Sequence, residues 1–154
     1  AVRALVGGAV VIALTLLVGN RDYNGLSLPL LGRAFGVVDI GLGVWALKLL
    51  FTAVTVGSGY AGGEVTPLFV IGATLGAAVA HATGGPVLVL AAVGMMATFG
   101  SAVNASTACV VMGVELFGWG PVVPLVVGCG IARLCSSGRT LSAHETVPVE
   151  AELL

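Results

Sequence analysis

Between Gly57 and Phe69 the sequence reads GSGYAGGEVTPLF, a glycine-rich, polar interruption set between two apolar runs. Gly62 and Gly63 stand directly before Glu64, with Val65, Thr66 and Pro67 opening the apolar run that follows. Those residue types in that order suit an anion. A helix that begins over Glu64 to Thr66 aims its unpaired amides and the positive end of its dipole at whatever lies beyond, and so holds a negative ion without a cationic side chain. Gly62 and Gly63 remove side-chain bulk where the ion approaches. Pro67 fixes the first turn at a place where an amide hydrogen has no intrahelical partner. Glu64 has two readings: a charge partner for the helix N-terminus, or a titrating carboxylate that competes with the anion for the same donors and handles protons. A charge at membrane depth is costly, which favours the second.

The rest of the chain explains why membrane depth is the right frame. Of 154 residues, 58% are apolar and 8% charged, and the mean hydropathy is +1.13. Soluble domains carry roughly a quarter charged residues. Too few charges are present here to cover a water-facing surface, and they fall mainly between apolar runs or in the tail, as a bilayer requires. The net charge of −1, with no basic cluster, excludes a nucleic-acid partner. Cys109, Cys129 and Cys135 form no CxxC pair and read as small buried hydrophobes rather than disulfide or metal ligands. HExxH, GxSxG and a lysine-bearing phosphate loop are all missing, so the chain is expected to be neither an enzyme nor a holder of a cofactor or metal.

Several apolar segments approach the roughly 20 residues that cross a bilayer. Ala4 to Val18 is read as a membrane helix rather than a signal peptide, because it lacks a cleavage pattern and more such segments follow. A polar turn, Gly19 to Gly25, leads to Leu26 to Phe35, which is too short to span and is interrupted by Arg33, and so is expected to be re-entrant. Val37 to Val56 is expected to be a second long helix with Lys48 near its middle, facing a protein-lined groove or snorkelling. Thr66 to Thr83 and Val87 to Val103 follow, separated by Gly84-Gly85-Pro86. Asn104 and Ser106 then offer N-caps for a short helix, Ala108 to Phe117. Trp119 suits the bilayer interface ahead of Val122 to Leu134, and Arg133 with Arg139 places the chain's end on the cytoplasmic side. Residues 1–135 therefore form a membrane domain and 136–154 a polar tail. Gly72 and Gly76, four apart, let helix backbones touch. His81 is read as a dipole partner at a helix end, and Glu115 as a structural residue satisfying local groups.

At this point the residues carry a resemblance. GSGYAGGEVTPLFVIGATLG resembles the GxFxP-type anion-binding loop and following helix of the CLC chloride channels and transporters, and GGEVTP is similar to the branch that exchanges fluoride for protons. AVGMMATFGSAVNASTACVVMGVELFG, ending near Glu115, is similar to the CLC stretch that runs into a glutamate-bearing helix. The ordered pair of long matches covers nearly the whole chain. The resemblance implies an all-α membrane protein of tilted and partly broken transmembrane helices, part of a CLC-type inverted repeat whose two halves meet at the anion sites. It implies that the amides of Glu64 and Val65 hold the central anion, and that the side chains of Glu64 and Thr66 mark the fluoride branch. Aligning on Gly138-Arg139 puts Ser142 where the family usually has an anion-contacting tyrosine; serine still donates a hydrogen bond but is shorter. The serine loop and the loop with the external gating glutamate are not in these 154 residues, which match most of the second half only.

The function so implied is anion transport, fluoride against protons, with Glu64 as the proton-coupling candidate. The partners implied are fluoride or chloride, protons, the lipid bilayer, an N-terminal half of the transporter and a second copy in a homodimer. The location implied is the cell membrane, as a multi-pass protein of a bacterial inner membrane. A chain that opens AVRALVGG without methionine is expected to be a fragment or a processed form. Two alternatives stay open: a chloride-conducting relative, and a non-transporting membrane module that packs against a partner.

Overall fold

The computed structural model describes residues 2–19, 22–36, 41, 43–59, 63 and 65–136. These form α1 (Val2–Val18), α2 (Leu28–Ala34), α3 (Val44–Gly57), α4 (Val65–Thr83), α5 (Val87–Ala102), α6 (Ser106–Phe117) and α7 (Val122–Ser136). No strand occurs among the described residues. One helix, α4, is long and apolar enough to cross a membrane unaided, and the other apolar helices are shorter. At ~1.5 Å rise per residue, α1 is about 25 Å long, short of a ~30 Å hydrocarbon core.

The centre is the antiparallel pair α4–α5. Thr83 is followed by Gly84 at φ 69°, and the Gly85 amide donates back to the Ala80 carbonyl at 3.0 Å, which satisfies a carbonyl at the helix end. Pro86, extended, then delivers the chain into α5. The contact between the two helices is made by glycines. Gly72, Gly76 and Gly94 are stacked so closely that a Cβ on Gly72 would lie 2.4 Å from the Gly94 carbonyl oxygen. Around this pair, Ala73, Ala77, Ala91, Met95 and Met96 form one buried cluster with Ala34, Cys109, Leu125 and Cys129. A second cluster, Tyr23, Leu30, Phe51 and Val70, joins α2 and α3 to the other side of α4.

Most element positions match the sequence reading within two or three residues, and four features differ. The expected helix over Val37 to Val56 begins only at Val44. The chain turns at Gly41 and Gly43, where glycine's poor helix propensity lets the Val44 amide bond back to Gly41, while residues 37–40 and 42 lie outside the description. Lys48 is therefore in the second turn of α3, not mid-helix. Asn104 caps nothing that follows it: at φ 54° it ends α5, and the Ala105 amide donates to the Gly100 carbonyl at 3.1 Å. Asparagine tolerates the left-handed conformation, so it stops one helix rather than starting the next. Ser106 is no cap either but the first residue of α6, after Ala105, and no side-chain cap bond forms. Cys135 is exposed, unlike buried Cys109 and Cys129, because no described element covers the end of α7. That helix ends at Ser136, and the rest of the tail lies outside the described residues.

Among the described residues, the Ser106 hydroxyl is the buried side-chain polar atom with no hydrogen-bond partner. An unmet buried hydroxyl costs about 1–3 kcal/mol. Ser106→Ala is therefore expected to raise stability by up to about 1 kcal/mol, read as a higher thermal midpoint of the detergent-solubilised protein. A drop in the midpoint would mean that the hydroxyl has a partner.

The outer faces are apolar. Leu5, Ile12, Leu16 and Leu17 on α1, and Leu116, Val123 and Leu134 on α6 and α7, are each more than half exposed. Contiguous apolar faces of this kind mark surfaces made for lipid or protein rather than water. Trp119, 80% exposed between α6 and α7, is placed as an interfacial anchor would be.

Candidate anion site at a helix start

The break expected before α4 exists. The chain leaves α3 through Gly59 at φ 81°, whose amide donates to the Val56 carbonyl at 2.9 Å, and re-enters helix at Val65. Glycine is needed at residue 59 because that backbone conformation strains any residue with a Cβ. Val65 and Thr66 are the first helical residues of α4, so their amides have no partner within that helix. Pro67, third in the helix, has no amide to leave unpaired. Val65 is 45% exposed and Thr66 is half-buried, so this helix start is reachable from outside the chain. Of the residues expected in the site, Gly63, Val65 and Thr66 are described, as chain neighbours at the approach to and start of α4. Gly62, Glu64 and Ser142 lie outside the described residues.

What sequence reasoning missed is the space beside that helix start. A cavity of about 400 Å³ is walled by α1, the turn at residues 23–25, α3 and the approach to α4, and its lining includes Tyr23, Lys48, Thr52, Thr55, Gly63 and Pro67. Beside it α1 meets the end of α3, with Gly7 packed against Ser58 so tightly that no side chain would fit. Lys48 is part of the lining. Its ammonium is buried and donates to the Tyr23 carbonyl at 3.0 Å, the Gly25 carbonyl at 2.8 Å and Ser27 Oγ at 2.7 Å. Three acceptors match the three donors of an ammonium, which is how the charge is tolerated in an apolar protein. The same bonds hold Ser27 at φ 51°, an uncommon backbone state for a non-glycine residue. The signal was present in the sequence: Lys48, Thr52 and Thr55 follow i, i+4, i+7 and draw a polar line down an otherwise apolar helix.

The remaining polar residues fall away from this space. His81 sits in the last turn of α4, exposed, as a dipole partner would. Glu115 is exposed on α6. Arg33 pairs with Asp22 at 2.9 Å, half in solvent. Among the described residues no three His, Cys, Asp or Glu side chains converge.

A helix that starts after a glycine-rich connection, beside a cavity that Lys48 helps to line, is an arrangement found in ion-transport proteins. The family model for the voltage gated chloride channel matches residues 1–137. The chain belongs to that family. Within it, the chain is 37% identical over 148 residues to the chloride/fluoride channel protein of Pseudomonas syringae pv. tomato (strain ATCC BAA-871 / DC3000), an alignment covering 92% of this chain and 32% of that protein. It is similar to the crystal structure of a CLC-type fluoride/proton antiporter at a TM-score of 0.84 and 35% identity, over 90% of this chain and 35% of the other. The 154 residues thus span about a third of the length of both relatives. The all-α CLC membrane fold inferred from the sequence is the fold observed.

Proposed function

We propose that the chain forms the C-terminal part of a CLC-type pore domain that moves fluoride across the membrane in exchange for protons. The observation that carries this reading is the start of α4, where Val65 and Thr66 open a helix directly after a glycine-rich break and beside a cavity walled by Lys48. Amides fixed in this way stabilise an anion without any reorganisation. Glu64 would hand protons to the same place, and Gly62 and Gly63 would let the ion approach. Ser142 would supply an inner hydrogen bond. The fluoride reading leans on Glu64 and Thr66, and on two relatives whose descriptions both include fluoride.

The completed transporter would include the N-terminal half with its gating glutamate, a second copy of the whole, and lipid against the exposed faces of α1, α6 and α7. It would sit as a multi-pass protein in the cell membrane. A second reading, an anion channel without proton exchange, is favoured by the likeness to the Pseudomonas chloride/fluoride channel protein.

The deciding experiment is efflux from liposomes carrying the full-length protein, with fluoride, chloride and external pH recorded together. Expected is fluoride efflux that drives protons in the opposite sense, with chloride moving more slowly. Fluoride efflux with no proton movement would establish the channel reading, and faster chloride than fluoride would establish the chloride relative. No flux of either anion would leave a packing module as the surviving alternative.

A further inference from the structure

The cavity beside α4 has a directional wall. From Lys48 to Val56, both in its lining, α3 advances eight residues, about 12 Å at helical rise. Lys48 marks one end of this line and the α4 start, at Gly63 and Pro67, contributes to the wall as well. Lys48 is 2% exposed, and its three donors are held by Tyr23, Gly25 and Ser27. The Thr52 hydroxyl donates to the Lys48 carbonyl at 2.9 Å and the Thr55 hydroxyl to the Phe51 carbonyl at 2.8 Å. Every hydrogen these three side chains could offer to an anion is therefore already engaged. What the α3 face presents is charge without ligation: a full positive charge, unable to trap an ion by direct hydrogen bonds, in a wall whose described lining residues include no aspartate or glutamate.

We propose that Lys48 is a positioning residue for anion passage: a fixed positive charge, locked in place by the turn from Tyr23 to Ser27, that draws anions along the α3 face of the cavity to the amides of Val65 and Thr66. This deepens, and rests on, the reading of the α4 start as an anion site. A charge that attracts but does not ligate suits a route, because an ion bound tightly on the way in would be slow to leave. Fields focused in low-dielectric clefts raise local counter-ion concentration and on-rates by about tenfold or more. A charge acting through space in this way should matter less as salt rises, since screening sets in over about 10 Å at 0.1 M.

The test uses the full-length protein in liposomes, with Cys135 and any other exposed cysteine replaced by serine and with Thr55→Cys as the reporter. Two methanethiosulfonate reagents of similar size, one bearing a sulfonate and one a trimethylammonium, are each timed on the reporter thiol and normalised to their rates with a free thiol in solution. Expected at low salt is a normalised anionic-to-cationic rate ratio of about ten, consistent with a focused positive field, which shrinks as salt is added. The ratio should fall towards one in Lys48→Met and persist in Lys48→Arg. The fluoride KM should rise by a similar factor in Lys48→Met, with little change in the maximal rate. A ratio at or below one, or no reaction with either reagent, in protein that still carries Lys48 overturns the proposal, and this measurement stands even where Lys48→Met fails to assemble. A structural role alone would lower the amount of active protein without moving the ratio. If the parent protein passes no anion, the reading of the α4 start fails instead, and the thiol rates tell the two failures apart.

Discussion

Thr66→Val in the full-length protein lowers the preference for fluoride over chloride by about tenfold, the expected cost of leaving a tightly held ion short of one hydrogen bond in a site of low dielectric. Fluoride is small and strongly hydrated, so a site that strips its water must replace that water with donors. Chloride has a weaker hold on its own shell and loses less. Thr66 is the second residue of α4 and is half-buried, so it belongs to the first turn without being sealed in the core. Valine keeps the shape and the β-branching, which isolates the hydroxyl as the variable. Changing Glu64 to leucine should lower the same preference and also weaken the link between fluoride efflux and proton uptake. Paired flux measurements with both anions decide it. An unchanged preference in both variants removes the reason for naming fluoride at all.

Gly76→Val should be the most disruptive single change in the chain. A Cβ on Gly76 would stand 2.1 Å from the Leu90 carbonyl oxygen and 2.7 Å from its carbonyl carbon, both backbone atoms that no rotamer change can move. Gly72 and Gly94 meet each other's carbonyls in the same way, at 2.4 Å and 2.3 Å. Relief would require α4 and α5 to separate along the seam that buries Ala73, Ala77, Ala91 and Met95. Overpacking of a rigid core costs about 1–3 kcal/mol, and the two added methyls of valine push it to the top of that range or beyond. Without close small-residue contacts, helices in lipid have little else to hold them together. The expected result is loss of the monodisperse species on size exclusion in detergent, and loss of flux. Gly130→Ala is the control, since nothing lies within 4 Å of a Cβ placed there, and it should stay within about 0.5 kcal/mol of the parent. A well-behaved Gly76→Val protein would mean that α4 and α5 are further apart than described.

Much of this architecture is legible in the sequence because the bilayer imposes strong rules on it. Charged residues fall mostly between the apolar runs or in the tail, so those runs mark the helices and the GSGYAGGEVTPLF stretch marks a discontinuity. The end of α4 was readable from Gly84-Gly85-Pro86, since glycine at positive φ followed by proline stops a helix locally. The start of α3 was not, because Val37 to Val56 is mostly apolar on both sides of Gly41 and Gly43 despite Asp39 and Lys48, and hydropathy does not register where hydrogen bonding begins. Asn104 was misassigned for a related reason: the same residue type serves as a cap at the start of one helix or as a left-handed stop at the end of another, and only the chain's path chooses.

The sequence by itself determined that this is a membrane chain of broken helices, and it pointed to an anion-suited helix start over Glu64 to Thr66, because composition and local backbone chemistry act over a few residues and leave their mark in order. The tertiary structure alone decided what Lys48 touches. Its partners Tyr23, Gly25 and Ser27 lie more than twenty residues away in the chain, and a cavity exists only once α1, α3 and the start of α4 are folded against each other. The meaning of a buried charge depends on which acceptors surround it, and that is a property of three-dimensional neighbours rather than of sequence neighbours.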